Sequence, residues 1–150
     1  MKRRNFLRLG ALATAIAIIP SQLSAIDFRE TKPSSWAAHN VDDAIKALYG
    51  DISVIESGIT ITTPKLASNG GAVPVNISSS IDAKSVALFQ DANPEATVAV
   101  FTIQEGAIVD YDIKIKMGKS GTITAIIEGR DGKFYAGKRT LDVALGGCDG

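Results

Sequence analysis

From Gly50 onward the chain breaks into short runs of alternating apolar and polar residues, cut by turn residues at intervals near ten. No other feature constrains the fold as tightly. Ile59 and Ile61 alternate with Thr60 and Thr62 before Pro64, and Val73, Val75 and Ile77 alternate with Pro74, Asn76 and Ser78. Successive side chains of a strand point to opposite faces, so a period of two marks a strand with one buried face. Further strands are predicted over 84–89, 97–104, 108–117, 122–128 and 134–145. The turns between them are Asn69-Gly70-Gly71, Asn93-Pro94, Glu105-Gly106, Gly118 to Gly121 and Asp131-Gly132. Seven strands at this spacing predict an all-β sandwich. Pro74, which has no N–H to donate, belongs at an edge or a bulge. Ile113, Ile115 and Met117 share one face of their strand and read as core, while Lys114 and Lys116 occupy the other. That lysine pair reads as a wetted face, open to an acidic patch on a partner.

One helix is predicted ahead of the strands. Asn40 can cap it, Asp42 and Asp43 place negative charge in its first turn, and Val41, Ala44, Ile45 and Leu48 recur at helical spacing before Gly50 ends it. Residues 26–35 are polar, contain Pro33 and show no period, so they read as a loose lead-in. Trp36 would anchor that lead-in. His39, the single histidine, precedes the cap and has no second imidazole or carboxylate cluster at metal-ligand spacing.

The first 25 residues have another character. Lys2, Arg3, Arg4 and Arg8 form a basic start, an apolar stretch runs from Leu9 to Ile19, and Leu23-Ser24-Ala25 offers an imperfect small-residue cleavage site. Arg3-Arg4-Asn5-Phe6-Leu7 looks like the core of a twin-arginine export signal. The apolar stretch is shorter than the ~20 residues a membrane span requires, and no lipid-accepting cysteine follows it, so export to a bacterial periplasm is expected without stable membrane association. The whole chain balances 16 basic against 16 acidic side chains. The leader holds four of the basic ones and none of the acidic, so the remaining 125 residues carry a net charge of −4. This mature part is sized for one domain (26–145) and lacks the basic footprint of a nucleic-acid binder.

Cys148 is the only cysteine, placed in Leu145-Gly146-Gly147-Cys148-Asp149-Gly150 at the very end of the sequence. It has no partner in the chain for a disulfide, and its glycine neighbours do not belong to a packed element. An unperturbed thiol, with a pKa of about 8.5, is a few per cent thiolate at neutral pH and already a good nucleophile. Glycines before it remove side-chain bulk, and the stretch from Leu145 to Cys148 can extend about 10 Å. The tail, 146–150, therefore has the physical logic of a carrier arm that places a sulfur in another protein's pocket. Nothing else supplies chemistry. There is no serine, histidine and carboxylate set in a recognisable context, and Asn69-Gly70-Gly71 lacks the lysine and helix of a phosphate loop. Neither a catalytic group nor a cofactor or metal site is expected.

The stretch from Gly58 to Val75, Gly58-Ile59-Thr60-Ile61-Thr62-Thr63-Pro64-Lys65-Leu66-Ala67-Ser68-Asn69-Gly70-Gly71-Ala72-Val73-Pro74-Val75, resembles the first strands of the SoxY family of thiosulfate-oxidation carriers. Asp112-Ile113-Lys114-Ile115-Lys116-Met117 and the closing Gly146-Gly147-Cys148 resemble it too. The resemblance covers most of the mature chain. It implies an immunoglobulin-like β-sandwich that pairs with a second small β protein, SoxZ, and that is itself no enzyme. It also implies that Cys148 holds the sulfur intermediates covalently and that Gly146 and Gly147 give the arm its freedom. The haem enzyme SoxXA would join thiosulfate to the thiol, the hydrolase SoxB would release sulfate, and SoxCD would oxidise the remaining sulfane sulfur in pathways that possess it.

One residue departs from the family pattern. The family tail usually reads Gly-Gly-Cys-Gly-Gly or stops soon after Cys-Gly, whereas Asp149 follows the cysteine here, ahead of Gly150. A carboxylate beside the thiol disfavours thiolate and repels anionic thiosulfate, modestly because solvent screens it. Two other readings stay open on the residues alone: an exported binding or structural module whose terminal cysteine forms an intermolecular disulfide, and a carrier serving a different sulfur or alcohol-oxidation route.

Overall fold

The computed structural model describes residues 26–144. The expected leader and the tail 145–150 lie outside the described residues. The lead-in is more ordered than its polar composition predicts. It forms two single helical turns, α1 (Phe28–Thr31) and α2 (Pro33–Trp36). The reason is local: the Asp27 carboxylate accepts hydrogen bonds from the Arg29 and Glu30 amides, and Pro33 starts α2 where its missing N–H costs nothing.

The predicted helix is α3 (Val41–Tyr49). Asn40 caps it as expected, its Oδ1 accepting from the Asp43 amide at 2.8 Å. Gly50 ends it with a φ of 83°, a conformation that side chains with a Cβ resist. Ala44 and Leu48 are buried, and Val41, Ile45 and Tyr49 pack around them.

Nine strands follow among the described residues: β1 (Val54–Ile55), β2 (Thr60–Thr62), β3 (Leu66–Ala67), β4 (Val73–Ser79), β5 (Ala83–Gln90), β6 (Thr97–Thr102), β7 (Val109–Ile115), β8 (Gly121–Gly129) and β9 (Phe134–Val143). Seven of them correspond to the expected strands. The other two, β1 and β3, are two-residue pieces lying parallel to opposite ends of β9, too short to show a period. The larger sheet has the order β1-β9-β8-β5-β6 with β3 also on β9, and the smaller one is β2-β4-β7. The fold is thus the expected all-β, immunoglobulin-like sandwich. Between the sheets lie Val73, Val75, Ile77, Val86, Leu88, Met117, Ile123 and Ile127, so Met117 is core as its spacing implies. Phe101 and Tyr111, with ring centroids 5.2 Å apart and planes 8° from parallel, stack between β6 and β7.

A helical layer covers the other face of the larger sheet. Ala87, Phe89, Ile126 and Ala136 meet Ala44 and Leu48 of α3 in a second cluster. Strand β5 is consequently buried without a break from Ser85 to Gln90. Such two-sided burial explains why the sequence there reads as a nearly continuous apolar run. Pro74 sits in β4, the middle strand of the smaller sheet, yet its own surroundings are those of an edge. The β2 ladder reaches only Asn76 to Ser78, so the one ladder partner of Pro74 is Lys114 of β7, and on the β2 side its carbonyl accepts from the Thr63 hydroxyl at 3.0 Å.

A polar chain ties α3 to the sheet. The Tyr49 hydroxyl lies 2.9 Å from Ser85 Oγ, which donates to Glu128 Oε2 at 3.2 Å, and Lys84 pairs with Glu128. Burial pushes the Tyr49 phenol well above its ordinary pKa of 10.0. A raised pKa in the folded state means that the folded form holds the proton more tightly. Its contribution to stability is complete below pH ~10 and is lost as the pH rises beyond it. Denaturant titrations above pH ~10 are expected to show falling stability that flattens in Tyr49→Phe; an equally steep loss in the variant would refute the assignment.

Candidate functional site

The expected site residues, Cys148 with Gly146, Gly147, Asp149 and Gly150, lie outside the described residues. What the fold does define is the root from which they extend. Strand β9 pairs antiparallel with β8 from Glu128↔Phe134 to Gly121↔Leu141. Beyond Leu141 other groups take over its amides. The Asp142 N–H donates to Lys65 O and the Ala144 N–H to Ala67 O, both at 2.9 Å, which is how β3 comes to lie along the strand's end. The Val143 N–H donates to Ser120 Oγ, also at 2.9 Å.

Three loops surround this root. The Asn69-Gly70-Gly71 turn, closed by Asn69 Oδ1 accepting from the Gly71 amide at 2.8 Å, packs directly on it. A Cβ on Gly70 would fall 2.8 Å from Val143 Cγ1 and closer still to Met117 O, so only glycine allows the approach. Gly70 O accepts from the Met117 amide, which links this turn to the second loop, 116–120. The third loop, 91–96, is organised by buried Gln90: its Oε1 accepts from the Ala92 and Asn93 amides and its Nε2 donates to Glu95 O. Asn93 clamps the second and third loops together by donating to Lys116 O and accepting from the Gly118 amide.

Across these loops lies an open basin of about 640 Å³ lined by His39, Asp91, Asn93, Pro94 and Lys119 among others. His39 is exposed just ahead of the Asn40 cap, with Nδ1 3.0 Å from Pro94 O. A carbonyl only accepts, so that nitrogen carries the proton. Trp36 closes α2 under the Arg29 guanidinium, 5.6 Å from its ring centroid, and anchors the lead-in as its position implies. Lys114 in β7 and Lys116 just beyond it are both exposed, on the wet side of the smaller sheet. Asp42 and Asp43 belong to the first turn of α3.

Among the described residues no group of three or more histidines, cysteines, aspartates or glutamates is placed to hold a metal ion. Two shifted groups lie at the far hairpin. Tyr135 donates to Asp131 Oδ2, which holds the Asp131 carboxyl below its usual range and the Tyr135 phenol above its own. They brace the β8–β9 turn. Ser120 and the Lys65–Ala67 segment are the contributors that sequence reasoning missed. A serine in a turn and a two-residue strand carry no periodic signal, and only the pairing of β9 reveals what they do.

Comparison with known proteins places this geometry. Residues 45–148 match the family described as sulfur oxidation protein SoxY. No curated protein matches the chain. Among solved structures it is similar to the sulfur carrier protein SoxY from Chlorobium limicola f thiosulfatophilum, with 31% identity and a TM-score of 0.63, over 69% of this chain and 96% of that one. A superoxide reductase (neelaredoxin) from Ignicoccus hospitalis matches at 16% identity with a TM-score of 0.52, over 59% of this chain and 81% of its own. At that identity the likeness is one of fold alone. Because the family match runs from α3 to Cys148 and the carrier's structure is covered almost whole, the chain belongs to the SoxY family of sulfur oxidation proteins.

Proposed function

We propose that this protein is an exported, non-catalytic carrier that holds thiosulfate-derived sulfur covalently on Cys148 and presents it to oxidising and hydrolysing partners from a Gly146-Gly147 arm. The observation that carries this reading is where the family match ends: on Cys148, the only thiol in the chain. The well-tied strand that precedes the tail supports it, since a carrier must keep its body folded while its terminus enters other proteins. A SoxZ-like subunit is the expected partner. Conjugation forms a sulfur–sulfur bond between the Cys148 thiolate and the outer sulfur of thiosulfate, and the two electrons released pass to a haem enzyme of the SoxXA type. Hydrolysis by a SoxB-type enzyme then adds water, releases the sulfonate end as sulfate and leaves a persulfide, the species a SoxCD-type enzyme oxidises where one is present. The leader-like start, 1–25, with its paired Arg3 and Arg4, supports twin-arginine export and work in the periplasm.

Mass spectrometry of the protein purified from thiosulfate-fed cells tests this. Thiosulfonate or sulfane adducts on Cys148 are expected, and a tail found only as free thiol or disulfide dimer would refute the carrier. Asp149 gives a second test. The partners are expected to be adapted to the carboxylate, so Asp149→Gly with the organism's own enzymes should bring no large gain in conjugation rate, the screened charge beside the thiol being a modest effect. A large gain in rate would show that Asp149 is a handicap.

A further inference from the structure

We propose that Ser120 is a positioning residue that sets the point at which the C-terminal tail leaves the sandwich, and hence the working length of the arm. The proposal rests on the carrier reading for its purpose, but on described residues for its geometry. In a strand, consecutive N–H groups point to opposite edges. Asp142 and Ala144 direct theirs to Lys65 O and Ala67 O on the β3 side. Val143 faces the β8 side, but β8 begins at Gly121, whose partner is Leu141. The ladder therefore gives out before Val143, and Ser120 Oγ stands in for the missing carbonyl at 2.9 Å. Val143 is buried, 8% exposed, so its amide has little access to water as a substitute acceptor. Without the hydroxyl the strand end loses its hold on the β8 side and keeps only its two bonds to β3, so the end of β9 opens more often, back as far as Leu141, where the ladder resumes. The arm then gains Asp142, Val143 and Ala144, roughly 10 Å of reach, and its thiol samples a larger volume.

Ser120 is exposed, so its replacement leaves the core untouched. Amide hydrogen exchange on the full mature chain is compared for the wild type, Ser120→Ala and Ser120→Thr. Exchange at Val143 is expected to quicken about fivefold in the alanine variant, the scale of one lost hydrogen bond, and to return to wild-type rate with threonine, which keeps the hydroxyl. In conjugation assays with the haem enzyme, Ser120→Ala is expected to raise the KM for the carrier severalfold with kcat unchanged, because presentation and not chemistry is altered. Unchanged protection at Val143, or no rescue by threonine, overturns the proposal. Faster exchange with both kinetic constants unchanged also overturns it, leaving Ser120 a merely structural contact. If the wild type forms no thiosulfate adduct at all, the carrier reading falls, while the exchange result still decides whether Ser120 fixes the exit point.

Discussion

Cys148→Ser is expected to abolish every thiosulfate-derived adduct while leaving the melting temperature unchanged. A serine hydroxyl is not ionised at neutral pH and cannot form the sulfur–sulfur bond that the proposed carrier role requires. No second cysteine exists to take over. The fold should not notice the change, because the sheets and both core clusters are built from residues up to Val143. Intact-mass measurement of wild type and variant from thiosulfate-fed cells, paired with calorimetry, checks both halves. Adducts persisting on the serine variant would place the attachment elsewhere, and a marked drop in melting temperature would mean that the sulfur packs against the body. The variant would equally lose a disulfide dimer, so the wild-type adduct is what separates carrier from cross-linked module.

Phe89→Ala is expected to cost about 3–5 kcal/mol of stability and to lower the melting temperature by roughly 10–20 °C. Phe89 is fully buried in the cluster that joins α3 to the larger sheet. Its surroundings make the loss severe. Four of its six buried companions there are alanines, Ala44, Ala87, Ala96 and Ala136, whose side chains cannot swing in to fill the space. Among the described residues Phe89 is the one aromatic ring fully buried in that layer, and the cost of truncation grows with the cavity that cannot collapse. Urea unfolding followed by circular dichroism measures it; a loss below about 1 kcal/mol would mean that α3 settles onto the sheet to close the hole.

The alternation of Val73, Val75 and Ile77 disclosed β4 because one face of that strand is wet. The cap at Asn40, the charge at Asp42 and Asp43, and the stop at Gly50 disclosed α3 for equally local reasons. Strand β5 was visible as an apolar run, but the run could not say that a helix covers its second face, since burial on both sides erases the alternation that would report it. The strands β1 and β3 were invisible because their existence depends on β9, a partner far away in sequence. The same holds for the candidate site. Cys148 stood out as a lone thiol between small residues, a local fact. The role of Ser120 at the tail's root did not, because it depends on where β8 happens to end.

The pairing of β9 has a mechanical consequence. Its backbone bonds to β8 lie across the strand axis, and tension applied to the chain beyond Ala144 runs along that axis. Such a load shears the whole ladder at once and does not peel it rung by rung. A partner that pulled on the chain beyond Ala144 would thus pull on a moored rope, and the body would follow as a unit.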